Sequence, residues 1–175
     1  PTPVASDTIR VRITATGEVK TMPLETYLRG VVPSEIPALW HVNAVRAQAV
    51  LARSYALASK LRNAGKEYDV DDTTRYQVYN PGRIHPVSDA AIRDTTGVYL
   101  VKDGKPFLSE YVALCGTATC PFCNGVPGTK TKSNPSGVWP GRACQYGSKV
   151  LAESGMGWRK IAVHYYQDVT LSDGG

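Results

Sequence analysis

The apolar positions along this chain change period several times, and each change marks an element. Ile9, Val11 and Ile13 alternate with Arg10, Arg12 and Thr14, the period-two pattern of a half-buried strand. Thr16-Gly17 predicts a turn, and Glu18 to Met22 a returning strand. Pro23 and Leu24 open a short helix expected to stop near Gly30, with Leu24, Tyr27 and Leu28 on one face. From Asn43 to Arg62 no Gly or Pro interrupts a run rich in Ala, Leu, Arg and Lys, which predicts a long helix ended by Asn63-Ala64-Gly65. Ser88 is read as the cap of a helix through Asp94. Val98 and Leu100, then Asp103-Gly104, then Phe107 and Tyr111 predict a hairpin with a tight turn. Helices are expected over 147–154 and 158–166, and Val169 to Leu171 as a sheet edge.

The long helix carries an unusual distribution. At about 100° per residue, Arg46, Arg53 and Lys60 share one line, and Gln48, Tyr55 and Ser59 share another on nearly the opposite side. Ala44, Ala47, Val50, Leu51, Leu57 and Ala58 fill one arc between them, and Val45, Ala49, Ala52 and Ala56 fill the other. A helix apolar on most sides is buried, and its guanidinium and amide groups then need partners. The fold expectation is α+β: a single domain over 1–175 with a central buried helix, short antiparallel strands and hairpins. Residues 1–7 are read as a flexible tail, and the Gly/Pro/Ser/Thr-rich stretch 115–146 as a loop lobe holding all four cysteines.

The chain of 175 residues is long enough to bury a real core. A net charge of +5 favours an anionic partner, but no Lys/Arg cluster or nucleic-acid motif accompanies it. Ten Tyr and three Trp against two Phe suit a carbohydrate cleft as well as a core. No apolar run is long enough to span a membrane. The chain opens on PTPVASD without a signal peptide, so export is not read from these residues.

The candidate chemistry lies just before the long helix. Glu35 sits in Pro33-Ser34-Glu35-Ile36-Pro37, where the prolines argue against a long regular element and Ser34 is read as capping a short turn. Flanked by Val31, Val32, Ile36 and Trp40, its carboxyl is a candidate for a pKa raised by desolvation, as a general acid requires. The plainer alternative is an acid favoured by a helix N-terminus. The blocks LETYLRGVVPSEIP, AVRAQAVLARSYAL and DVDDTTRYQVY, followed by TTGVYLVKDGKPFLSEY and GWRKIAVHYYQDVTL, resemble the SpoIID/LytB family over about residues 8–171. The resemblance implies a peptidoglycan lytic transglycosylase or, for some members, a factor that stimulates a cell-wall amidase. It places Glu35 at the family's catalytic glutamate, and Arg46, Gln48, Arg53 and Tyr55 at positions around the site. Helical geometry opposes all four facing one cleft, so one stripe is expected to touch glycan and the other to be structural, with the Gln48/Tyr55 line favoured for glycan. Asp72, Thr73 and Gln77 keep the family pattern and are candidates for the cleft, with a structural turn as the alternative. Tyr111 matches a tyrosine close to the site, Gln145 keeps its correspondence, and Ala113 replaces an expected serine. Family positions that carry Cys and His, and in some members hold zinc, are occupied here by Asp71, Arg75 and Tyr76, so no metal is expected there.

Cys115, Cys120, Cys123 and Cys144 are spaced C-x4-C-x2-C…C. An iron–sulfur cluster, a redox pair and a tetrathiolate zinc site are open readings. An even count in a protein that the resemblance implies is exported favours two disulfides, with the pairing open. The expected activity is cleavage between N-acetylmuramic acid and N-acetylglucosamine, with Glu35 as acid and then base and a 1,6-anhydro product. A hydrolase would need a second carboxylate, for which Asp71, Asp72 and Glu110 are available. No cofactor is expected. The expected partners are peptidoglycan glycan strands and, on the alternative of a non-catalytic wall-binding enhancer, an amidase. The expected location is extracytoplasmic.

Overall fold

The computed structural model describes residues 8–174; the expected tail over 1–7 lies outside them. Strand β1 (Thr8–Arg12) pairs antiparallel with β2 (Val19–Pro23) and parallel with the short β3 (Val70–Asp71). Helix α1 (Leu24–Glu35) follows β2 directly, and α2 (Val42–Arg62) runs through the centre. Helix α3 (Pro86–Asp94) precedes the hairpin of β4 (Leu100–Lys102) and β5 (Lys105–Pro106). Its two-residue turn, Asp103-Gly104, takes positive φ at both positions, as the sequence pattern predicts. Strands β6 (Tyr111–Val112) and β7 (Ala143–Cys144) pair in parallel across the loop lobe. Helices α4 (Gln145–Glu153) and α5 (Trp158–Val163) follow, and β8 (Thr170–Leu171) closes against β4. The architecture is α+β, and no helix among the described residues is long and apolar enough to cross a membrane.

Helix α2 packs against α1, α3, α4 and α5, and the two arcs read from its sequence become two cores. Val45, Ala49, Ala52 and Ala56 join Ile9, Val11, Val70 and the apolar face of α1. Ala44, Ala47, Val50 and Leu51 join Leu100, Leu151, Ile161 and Leu171. Leu57 turns into the first core rather than the second, as its place in the arcs would have had it. Alanines on both faces let four helices approach one axis, and β4 follows because Ser54 Oγ takes the Leu100 amide at 2.6 Å.

Helix α1 does not stop at Gly30 but continues through Pro33 to Glu35. Proline lacks the N–H that would bond the carbonyl four residues back, yet it sits in the last turns, where one lost bond is tolerated. Ser34 does not cap a new turn: its hydroxyl donates to the Gly30 carbonyl at 2.6 Å, and Asn80 N–H donates to the same oxygen at 3.1 Å. Gly30 is needed for space rather than as a stop, because a Cβ there would meet the Tyr79 ring at 2.5 Å. Helix α3 likewise starts earlier than expected, capped by His85 rather than Ser88, with His85 Nδ1 accepting the Val87 amide.

The expected disulfides are not formed. All four cysteines are free and buried, and Cys123 Sγ lies 4.0 Å from Cys115 Sγ and 3.7 Å from Cys144 Sγ. A disulfide needs about 2.05 Å. The side chains converge on a common centre instead of meeting in pairs, so none of the three possible pairings is selected.

Arg53 is fully buried on the first polar line of α2. It makes a bidentate pair with Glu25, both contacts at 2.8 Å, and donates to the carbonyls of Val98 and Ile92. Replacing it strands a carboxylate and two carbonyls. Arg53→Met is expected to cost roughly 3 kcal/mol in urea unfolding, and Arg53→Lys to recover only part of that because an ammonium cannot reproduce the fork.

Candidate active site

The C-terminal end of α1 delivers Glu35 to a point where three other segments meet. The irregular segment that follows β3 brings Val78, whose N–H donates to Glu35 Oε1 at 2.8 Å. The first residue of α4 brings Gln145, whose side chain acts on the carboxylate as a donor that lowers its pKa. The second polar line of α2 brings Gln48, whose Oε1 lies 3.5 Å from Gln145 Nε2. Gln48 is 3% exposed and its Nε2 has no hydrogen-bond partner.

Burial raises the Glu35 pKa above the ordinary carboxylate value, and the Val78 and Gln145 bonds only partly oppose it. The alternative of an acid stabilised at a helix N-terminus does not hold, since Glu35 is the last residue of its helix, where the dipole opposes negative charge. Its charge in turn reaches two phenols, the buried Tyr27 and the half-buried Tyr111: both are pushed well up, chiefly by desolvation and next by Glu35, so both remain neutral donors.

Gln77, beside Val78, ties these groups together. Its Oε1 accepts from Tyr27 Oη at 3.3 Å, and its Nε2 donates to the Ala52 carbonyl of α2 at 3.2 Å and to Tyr111 Oη at 2.9 Å. Tyr111 in turn forms a wall of a cleft of about 220 Å³ together with Tyr55, Tyr76 and the Glu110–Arg142 ion pair. Glu35 does not itself line that cleft; it is joined to it through Gln77 and Tyr111. On the other flank an aromatic row begins in the turn after Glu35. Trp40 meets the Tyr146 ring edge-on at 5.1 Å, and Tyr146 stacks on Phe122 at 5.0 Å. Phe122 and Tyr146 are exposed.

Of the residues predicted from sequence, Glu35, Gln48, Tyr55, Gln77, Tyr111 and Gln145 come together. Arg46 and Arg53 do not: Arg46 pairs with Asp94 at 2.5 Å, and Arg53 is enclosed with Glu25 on the other side of α2. Asp72 accepts from the Thr14 amide and hydroxyl, and Thr73 donates its amide and hydroxyl to Asp71 Oδ1. Both are engaged in the turn that holds the segment to the first hairpin. At the three positions expected to hold no metal, Arg75 Nε is 3.8 Å from Asp71, and Tyr76 Oη accepts from Asn63. Sequence reasoning missed Val78, because a backbone donor leaves no mark in side-chain chemistry. It read Tyr27 only as a core face, and the row Trp40–Tyr146–Phe122 is spread over residues 40–146 with no local pattern.

The family model described as SpoIID, Stage II sporulation protein, matches residues 13–101, about half of the chain. The chain belongs to the SpoIID family. An uncharacterized protein of Brachyspira hyodysenteriae is 40% identical over 103 residues, 58% of this chain. Stage II sporulation protein D of Bacillus subtilis is 28% identical over 159 residues, 79% of this chain. The amidase enhancer of the same organism is 33% identical over 92 residues, 53% of this chain. This SpoIID chain spans 28%, 45% and 12% of those proteins' own lengths, and the family match ends before the cysteine lobe.

The raised Glu35 pKa has a consequence for stability. Between the ordinary carboxylate value and the raised one, the folded chain keeps a proton that the unfolded chain has released, so stability falls as pH rises through that interval. Glu35→Gln removes this dependence and still accepts from Val78. Urea denaturation from about pH 4 to 7 is expected to show a smaller stability loss with rising pH for the variant, and a variant at least as stable as the parent at neutral pH.

Proposed function

We propose that this SpoIID chain is a lytic transglycosylase acting on peptidoglycan glycan strands, with Glu35 as both acid and base. The observation that carries the reading is a single, partly buried carboxyl with a raised pKa, held by the Val78 amide and Gln145, with the other nearby acids engaged. Glu110 pairs with Arg142, Asp71 with Arg75 and Thr73, and Asp72 with Thr14. A hydrolase needs a second free carboxylate to activate water; a transglycosylase does not.

Protonated Glu35 donates to the oxygen linking N-acetylmuramic acid to N-acetylglucosamine, and the C1–O bond breaks as oxocarbenium character develops. The resulting carboxylate takes the proton of the muramic 6-hydroxyl, whose oxygen closes on C1 to give a 1,6-anhydro end. The Val78 and Gln145 donors support the carboxylate half of this cycle, and burial supports the acid half. Trp40, Tyr146 and Phe122 offer apolar faces of the kind that stack on sugar rings. On this reading the protein acts outside the cytoplasm, at the wall.

A second reading, a non-catalytic wall-binding module that enhances an amidase, is favoured by the similarity to the Bacillus subtilis amidase enhancer and by Ala113 in place of the expected serine. The two separate on products from purified glycan strands. Wild type is expected to release 1,6-anhydro ends detected by mass spectrometry, and Glu35→Gln to lose on the order of a thousandfold in rate. Equal behaviour of variant and parent, with amidase stimulation intact, would favour the enhancer, and hydrated reducing ends would indicate hydrolysis. Tyr146→Ala is expected to weaken pull-down on insoluble wall about tenfold, by removing the middle ring of the row.

A further inference from the structure

We propose that Cys115, Cys120, Cys123 and Cys144 form a closed tetrathiolate site for one zinc ion, which clamps the loop lobe to the start of α4. Of the readings open for these cysteines, this one takes the place of the favoured disulfides. The first ground is geometry. All four sulfurs lie within 4.8 Å of one another, and the two recorded separations from Cys123 are 3.7 and 4.0 Å. Four sulfurs at about 2.3 Å from a tetrahedral zinc stand about 3.8 Å apart. The sulfurs are too close together for an iron–sulfur cluster, where the cysteines ligate different irons.

The second ground is the surroundings. The four side chains are 0–3% exposed, which suits a closed structural site and not a redox pair that must meet a partner. Three donors point at sulfur: Cys123 N–H to Cys120 at 3.4 Å, Gly147 N–H to Cys144 at 3.3 Å, and the Thr117 hydroxyl beside Cys115 at 3.2 Å. Such donors soften the negative charge of four thiolates on one dication. Cys144 Sγ is also 3.3 Å from the Ala113 carbonyl, a thiol bond that ligation would replace; that carbonyl keeps the Tyr146 amide. Position 147 admits no side chain, since a Cβ would meet Cys120 Sγ at 2.9 Å. The cysteines are the lobe's own core, with the partly buried Val112, Leu114 and Tyr165 packed against them. On binding, the four thiols release their protons to solvent and four S–Zn bonds form.

The clamp reaches the candidate active site along the chain. Cys144 caps α4 and is followed at once by Gln145, which holds Glu35. Cys120 and Cys123 bracket Phe122, the outer ring of the aromatic row. Cys115, Cys120, Cys123 and Cys144 thus fix where Gln145 and Phe122 sit. Only this last consequence rests on the proposed glycan cleavage; the metal site does not.

The test uses untagged chain purified with zinc present. Native and denaturing mass spectrometry are expected to give one zinc per chain and four free thiols, protected from a thiol reagent until a strong chelator is added. Cobalt titration of the stripped protein is expected to give the intense sulfur-to-metal absorption and visible bands of a tetrahedral tetrathiolate. Cys123→Ser is expected to lose stoichiometric zinc; if that variant does not fold, the wild-type cobalt spectrum still decides. A mass lower by four hydrogens, thiols reactive at once after zinc addition, or iron in place of zinc each overturns the assignment. Zinc removal that leaves the melting temperature unchanged overturns the clamp. Failure of glycan cleavage with zinc bound would count against the proposed function alone.

Discussion

A helix buried on every side cannot send its polar side chains to water, so each of them must reach into a neighbouring element. In α2 this requirement organises the molecule. Arg53 on one line ties α1 to the end of α3 and to the chain entering β4. Gln48 and Tyr55 on the other line face the region of Gln145 and Tyr111. The apolar arcs between the lines supply the cohesion, and the polar lines decide which neighbour lies where. An unpaired guanidinium here would cost several kilocalories per mole, more than most single packing contacts contribute.

The candidate acid follows from the same arrangement one element earlier. Helix α1 packs against α2 and ends where its apolar face gives out, so its last residue is carried into the interior at the end of the helix least hospitable to an anion. Tyr79 fits against Gly30, and the segment leading to it sets the Val78 amide on the carboxylate. A carboxyl with two donors and little water can exist in either protonation state, and that is the property an acid that later serves as a base requires.

Much of this was legible in the chain itself, and the rest was not for identifiable reasons. Period-two and helical patterns located β1, α2 and the Asp103-Gly104 hairpin, and the two arcs of α2 became two cores. The argument that both polar lines could not face one cleft separated Gln48 and Tyr55 from Arg46 and Arg53. What misled was punctuation: Gly30 and Pro33 were read as stops, whereas one makes room for a tyrosine and the other sits where its missing donor matters little. The cysteines misled differently. Their even number is a statement about counting, while their convergence on one point depends on β6 and β7 pairing in parallel across the intervening loop, which no local pattern reveals. Val78 acts through its backbone and was invisible for that reason.

The second core has a consequence for how the chain can be divided. Ala44, Ala47, Val50 and Leu51 are sheltered by Leu151, Ile161 and Leu171, all of which come after residue 101, where the family match ends. A fragment cut at that boundary would keep the diagnostic motifs yet present one flank of its central helix bare to solvent, inviting aggregation. The stretch by which kinship is recognised is therefore smaller than the piece able to stand alone.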